Sequence, residues 1–174
     1  MADDKKEKWL NWLALTTLIF SAAATIGSSK AGGYSGKATT EQILASDQWA
    51  FYQAKSIKQH NAEVGRDLLD LQTPLAPETA QAKFHATAER YAKEITRYDT
   101  EKKEIKDIAV GHEKTRDVSS KYAGVFGRGV LYLQVAIILS AMAALLKKQP
   151  LWFVSFAPGV AGLIYFIYAF WLSW

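Results

Sequence analysis

Two histidines and two glutamates in the middle of the chain are of residue types that bind divalent metals in many proteins. They are His60, Glu63, His85 and Glu89. If the middle of the chain folds into two antiparallel helices, as argued below, the four residues come near one level. A di-metal site in a helical bundle uses inward Glu-x-x-His pairs from facing helices, and that spacing is absent. We therefore predict no metal site, and surface or packing roles for these residues.

The sequence contains none of the short motifs that carry common catalytic chemistry. It has no Gly-rich phosphate loop, no serine nucleophile elbow and no H-E-x-x-H zinc motif. It also has no cysteine, which excludes thiolate ligands and nucleophiles. Residues 27–124 carry 15 Lys and Arg against 14 Asp and Glu, a net charge of +1, and offer no basic face to nucleic acid. We predict no enzymatic activity, no cofactor and no nucleic-acid partner.

Three apolar blocks have the length of membrane-spanning helices. They are residues 9–26, 130–146 and 151–172. Even the shorter blocks rise about 27 Å as helices, close to the hydrocarbon thickness of about 30 Å. Only the sequence Lys-Lys-Gln-Pro at 147–150 separates the last two, which predicts a tight antiparallel pair. A cleavable signal peptide is the alternative for the first block, and the acidic residues before it argue against that alternative.

Basic residues flank the apolar blocks in equal number on the two sides of the membrane. Lys5, Lys6, Lys8, Lys147 and Lys148 lie on one side, and Lys30, Lys37, Arg116, Lys121 and Arg128 lie on the other. Long segments cross a membrane largely regardless of their charge, and the middle region is long. We therefore expect a multi-pass protein with a cytoplasmic N-terminus and the middle region outside.

The order of segments along the chain predicts an all-α membrane protein with a long helical hairpin outside the bilayer. We assign an N-terminal tail and first span to 1–27, a flexible Gly/Ser-rich linker to 28–39, the hairpin to 40–124, and two spans to 125–174. Within the hairpin, no proline interrupts residues 40–72. The prolines that follow end this helix and start the next, which we place at 77–124.

Apolar residues recur in the 4-3 spacing of a coiled coil along both predicted helices. The first helix shows Ile43, Asp47, Ala50, Ala54, Ile57, Asn61, Val64, Leu68 and Leu71 in this spacing. The second shows Phe84, Ala88, Tyr91, Ile95, Tyr98, Lys102, Ile105, Ala109 and His112. A short connector predicts an antiparallel coiled coil in which these two sets meet. We expect Asp47 to lie near Lys102 and Lys103 and to fix the register.

A second face of the first helix carries aromatic and polar residues at helical spacing. It consists of Trp49, Tyr52, Gln53, Ser56 and His60. Exposed aromatic residues on a helix that is already buried on one side indicate a second contact surface. We predict that this face binds a partner or a second copy. The alternative is that it covers the chain's own linker.

Small and polar residues in the second and third spans predict helix packing within the membrane. They are Gln134, Ser140, Ala157, Pro158, Gly159, Ala161 and Gly162. Small residues let helices approach closely, and polar side chains join helices by hydrogen bonds.

The stretch Asp47–His60, DQWAFYQAKSIKQH, resembles a bacterial family known only as a domain of unknown function, with the signature D-Q-W-A-x-Y-Q-A-K-S-x-K-Q-H. The resemblance extends to the layout of one N-terminal span, a charged helical middle and two C-terminal spans. Relatives often continue with Leu after the histidine, where this chain has Asn61. The resemblance implies a bacterial inner-membrane protein and brings no activity or catalytic residue.

These observations predict a membrane-anchored structural or interaction protein that self-associates, with membrane lipids and further copies of itself as partners. One alternative is an oligomeric pore, lined or gated by Gln134, Ser140 and the Pro158-Gly159 pair. A second alternative is an accessory subunit bound to other subunits of a transport or respiratory complex.

Overall fold

The computed structural model describes the backbone of residues 2–173 and the side chains of residues 8–173, and all regular structure there is helical. Helix α1 covers Ala2–Gln72, a short 3₁₀ helix covers Thr73–Leu75, α2 covers Glu78–Leu146 and α3 covers Gln149–Ser173. The all-α prediction is confirmed for these residues. Each of the three long helices contains an 18-residue window apolar enough to cross a membrane.

The contacts divide the chain into two compact units. One unit comprises the chain up to Thr39 and from Arg116 onward, and the other comprises Thr40–Thr115. We call the first the three-helix unit, because it contains parts of α1, α2 and all of α3. The second contains residues 40–72 of α1, which we call the first arm, and residues 78–115 of α2, which we call the second arm.

The predicted flexible linker at 28–39 is wrong, because this segment is continuous helix within α1. No glycine of the chain has a positive φ. Each glycine costs a helix about 1 kcal/mol relative to alanine, so other contacts must stabilise the segment. Tyr34 supplies them, since its ring packs 5.2 Å from that of Tyr122 and 6.0 Å from that of Phe126. Helix α2 continues without a break across the predicted boundary at 124/125.

The connection between α2 and α3 is shorter than the predicted four-residue turn. Only Lys147 and Lys148 lie between the helices. Lys147 has φ 52°, and the N–H of Lys148 donates to the carbonyl of Ala143 at 3.1 Å. The N–H of Lys147 donates to Ala144 at 3.3 Å, which completes a Schellman motif.

The core of the three-helix unit consists of three apolar clusters. One contains Phe20, Ala23, Ala24, Leu133 and Ala136, a second contains Leu13, Ala143 and Trp152, and the third contains Val125, Phe126 and Ala169. Large side chains therefore alternate with alanine between the helices, which lets their backbones approach closely.

Candidate interaction surface

The two arms contact each other through a ladder of polar and aromatic pairs. The Lys55 ammonium lies 2.5 Å from a carboxylate oxygen of Glu101. Nearer the ends of the arms that join the three-helix unit, His112 Nδ1 lies 2.6 Å from Glu41 Oε2. Because residues later in the first arm contact residues earlier in the second, the arms run antiparallel.

Charge pairs on the second arm shift two carboxylate pKa values. The hydrogen bond from Lys55 holds the pKa of Glu101 below its ordinary value of 4.5. On the outside of the same helix, Lys103 donates to Asp99 at 2.7 Å. This bond lowers the pKa of Asp99 and raises that of Lys103. The carboxylates are therefore ionised, and the pairs formed, across the neutral pH range.

The register pair predicted from the sequence does not form. Asp47 is exposed, Lys103 is paired within its own helix to Asp99, and Lys102 lies 5.5 Å from the centre of the Tyr52 ring. The contact between Lys55 and Glu101 holds the arms at this level instead. This contact lies about two helical turns along the first arm from the predicted one.

The side of the first arm that faces the second arm is not the apolar one. It consists of Ala45, Gln48, Tyr52, Lys55, Gln59, Ala62, Arg66 and Leu69, all of them buried or half-buried. We call this set the inner face. Its members are three or four residues apart, so it has coiled-coil spacing of its own, in small, polar and aromatic residues.

The apolar heptad residues predicted to meet the second arm lie on the outside of the first arm. We call this set the outer stripe: Ile43, Asp47, Ala50, Ala54, Ile57, Asn61, Val64, Leu68 and Leu71, all exposed. Ile57 is 62% exposed and Leu71 is 71% exposed. The prediction that this set packs against the second arm is therefore wrong.

The chemistry of the second arm explains why it selects the inner face. Its predicted heptad residues, from Phe84 to His112, are all buried or half-buried, and they include polar groups that need partners when they leave water. Lys102 contacts Tyr52 and His112 contacts Glu41. Tyr91 needs space, and Gly65 provides it, because a Cβ atom there would lie 3.0 Å from the Tyr91 ring. The branched aliphatic residues of the outer stripe offer neither polar partners nor this space.

The aromatic face predicted to bind a partner is divided between the inside and the outside. Trp49 Nε1 donates to Glu113 at 2.9 Å, and its ring packs edge-on to Tyr52 at 5.6 Å. Ser56 is also half-buried, whereas Gln53 and His60 are exposed. The two aromatic residues therefore serve the contact between the arms, which corrects the prediction of an exposed aromatic surface. Neither Glu41 nor Glu113 was singled out by sequence reasoning.

The small and polar residues of the spans mostly pack inside the three-helix unit. Ser140 Oγ donates to Ser155 Oγ at 3.0 Å, and both are buried. A Cβ atom on Gly159 would lie 2.3 Å from the Phe20 ring, and one on Gly162 would lie 2.7 Å from Leu133. Ala157 is exposed, and Pro158 and Ala161 are half-buried.

One predicted packing residue, Gln134, faces outward instead. It is exposed and lines a groove of about 430 Å³. The other polar residues of the groove are Ser21, Thr25, Ser28 and Ser29. The lining residues belong to α1 and α2.

The four candidate metal ligands do not converge. His60 Nδ1 lies 3.8 Å from Glu63 Oε2, and the His60 side chain is 74% exposed. His85 and Glu89 are both exposed. Among residues 8–173, no group of three His, Asp or Glu side chains is placed to hold a metal ion.

Comparison with known proteins places the chain in a family without an assigned activity. Residues 9–172 match the family described as Domain of unknown function (DUF4337). The match covers nearly the whole chain, which therefore belongs to this family. No curated protein and no solved structure matches it.

Proposed function

We propose that this DUF4337 protein is a membrane-anchored interaction protein that self-associates and catalyses no reaction. In this proposal the three apolar helices span a bacterial inner membrane. The two arms form an antiparallel coiled-coil hairpin on its outer side. The short turn at Lys147 and Lys148 lies in the cytoplasm, in keeping with the positive-inside rule.

The observation that carries the proposal is the exposure of the apolar heptad on the first arm. Seven large apolar side chains on or beside the outer stripe are 40–71% exposed: Ile43, Leu44, Phe51, Ile57, Val64, Leu68 and Leu71. At on the order of 100 Å² each they expose roughly 700 Å², above the about 300–600 Å² of the largest patch on a typical monomer. A surface of this size and regularity is typical of a helix that packs against another helix.

The test is native mass spectrometry of the full chain, released gently from its own membrane. A homo-oligomeric mass is the expected result. A mass that contains other subunits would replace self-association with the accessory-subunit alternative. A monomer under conditions that preserve other membrane complexes would contradict the proposal.

The polar groove on the three-helix unit favours a pore as the second candidate function. Thr25 already donates to the carbonyl of Ser21 at 2.9 Å, but the amide of Gln134 would lack hydrogen-bond partners if it faced lipid. The groove is therefore better suited to a hydrated path or to another helix. However, Ser140 and Gly159 are buried within the unit and do not line it. A pore predicts ion flux in liposomes that falls in Gln134→Leu and persists in the control Val135→Leu, whose position is also exposed. Equal flux in both variants would remove Gln134 from any such path.

A further inference from the structure

The outer stripe has the residue pattern of a helix that pairs with a copy of itself. In heptad terms, Ile43, Ala50, Ile57, Val64 and Leu71 occupy d positions, and Asp47, Ala54, Asn61 and Leu68 occupy a positions. A single asparagine at an a position specifies the register of a coiled coil, because two amides that face each other can form a hydrogen bond. We propose that the outer stripes of two copies pair in parallel and in register, with Asn61 facing Asn61. This inference rests on the proposed self-association and adds its surface and geometry.

The anchoring of the first arm favours the parallel direction. Helix α1 is continuous from the first apolar block to the end of the outer stripe at Leu71. Two copies inserted in one membrane with the same orientation therefore both begin their outer stripes on the same side of the membrane and in the same chain order. The entropy cost of bringing the two stripes together is reduced because both are already confined to one membrane.

The polar positions of the stripe distinguish the two directions independently. In an antiparallel pair centred on Ile57, Asn61 would face the apolar region around Ala54, and Asp47 would face that around Leu68. Each polar group would then be buried without a partner, which is costly. In the parallel pair Asn61 meets its own counterpart. Asp47 also meets its own counterpart, near the end of the stripe where water screens the repulsion.

The residues that flank the stripe add no further charge repulsion to the parallel pair. In a parallel coiled coil, each g residue faces the e residue of the next heptad on the partner. This geometry brings Gln53 near Lys58 and Asp67 near Gln72, so no like charges oppose each other. The roughly 700 Å² exposed per copy is close to the about 800 Å² per partner of a standard stable interface.

The absence of native cysteine makes single-cysteine cross-linking a direct test. Ile43→Cys, Ile57→Cys and Leu71→Cys sample the start, middle and end of the stripe in the full chain. A disulfide needs Cβ atoms about 3.5–4.5 Å apart, so cross-linking under mild oxidation in native membranes reports which positions meet. Ile108→Cys is the matched control, because it is a similar residue, 49% exposed on the second arm.

A parallel, in-register pair predicts disulfide-linked dimers from all three stripe variants, several-fold more than from Ile108→Cys. Cross-linking of Ile57→Cys alone would overturn the parallel geometry while leaving self-association through the stripe. A homo-oligomeric mass with cross-linking no higher than the control at all three positions would place self-association elsewhere. A monomeric mass with no cross-linking would overturn both the inference and the proposed function.

Discussion

The two arms carry the same heptad spacing and use it differently. The second arm has one heptad face, which it turns toward the first arm. Among the exposed residues of the second arm, Ile108 is the only large apolar one. The first arm has two heptad faces, and it buries the polar inner face while its apolar outer stripe stays exposed. The more apolar face of the first arm is therefore not the one that packs against the second arm. The polar groups of the partner helix decided which face packs, because they need polar contacts when they leave water.

The largest effect we expect is the loss of self-association when charged residues are placed on the outer stripe. We expect the double substitution Ile57→Glu and Leu68→Glu to abolish assembly, because pairing would bury four carboxylates. The arms of each chain should remain folded, since both positions are exposed. The measurements are the oligomeric mass and the helical circular dichroism signal of the purified full chain. Ile108→Glu is the control and should assemble normally, and dimers of the double variant would show that the stripe is not the interface.

An effect of intermediate size is expected from substitutions of matched alanines on the inner face and the outer stripe. Ala62 is buried on the inner face at 4% exposure, so Ala62→Leu should destabilise the arms by about 1–3 kcal/mol through overpacking. Ala54 lies exposed on the outer stripe, so Ala54→Leu should leave the arms stable and strengthen self-association. Unfolding by denaturant, at a concentration where the chain is monomeric, measures the stability of the arms. The oligomeric mass on dilution measures the strength of self-association. Equal destabilisation by the two substitutions would contradict the assignment of inner and outer faces.

The smallest effect we expect is a pH dependence of the contact between the arms. Glu101 has a lowered pKa in the folded arms because of Lys55, so the folded state binds fewer protons than the unfolded state near the ordinary value of 4.5. The pair therefore stabilises the arms above about pH 4.5, and this contribution is lost as the pH falls through the lowered pKa. Thermal unfolding across this range should show a shallower pH dependence in Glu101→Gln than in the wild type. Glu104→Gln, at an exposed position one turn away, should follow the wild type.

The sequence predicted the elements of the fold better than their contacts. The three apolar blocks and the prolines near 74–77 locate the long helices, and the spacing from Phe84 to His112 identifies the face of α2 that packs. The helix at 28–39 could not be predicted, because the cost of its glycines is offset by tertiary contacts of Tyr34 with Tyr122 and Phe126. Local composition contains no information about those contacts.

Sequence reasoning also could not tell which face of the first arm packs against the second arm. The periodicity of Ile43, Ile57 and Leu71 is typical of a face that packs against another helix, but it does not say which helix. We assigned the apolar stripe to the chain's own second arm and left the face with Trp49 and Tyr52 for a partner. The structure places Trp49 and Tyr52 against the second arm and leaves the outer stripe exposed. The polar members of the second arm, above all Lys102 and His112, were the signal in the sequence that could have shown this.

We propose that the outer stripe is covered in the membrane, although a single chain leaves it exposed. The most direct test is to alkylate Ile57→Cys in native membranes with a membrane-permeant maleimide and to measure the rate. Ile108→Cys, at an exposed position of the second arm, is the reference. We expect the cysteine at 57 to react much more slowly than the cysteine at 108 in the membrane. The two should react at similar rates after detergent separates the copies. Equal rates in the intact membrane would show that nothing covers the stripe and would contradict self-association through it.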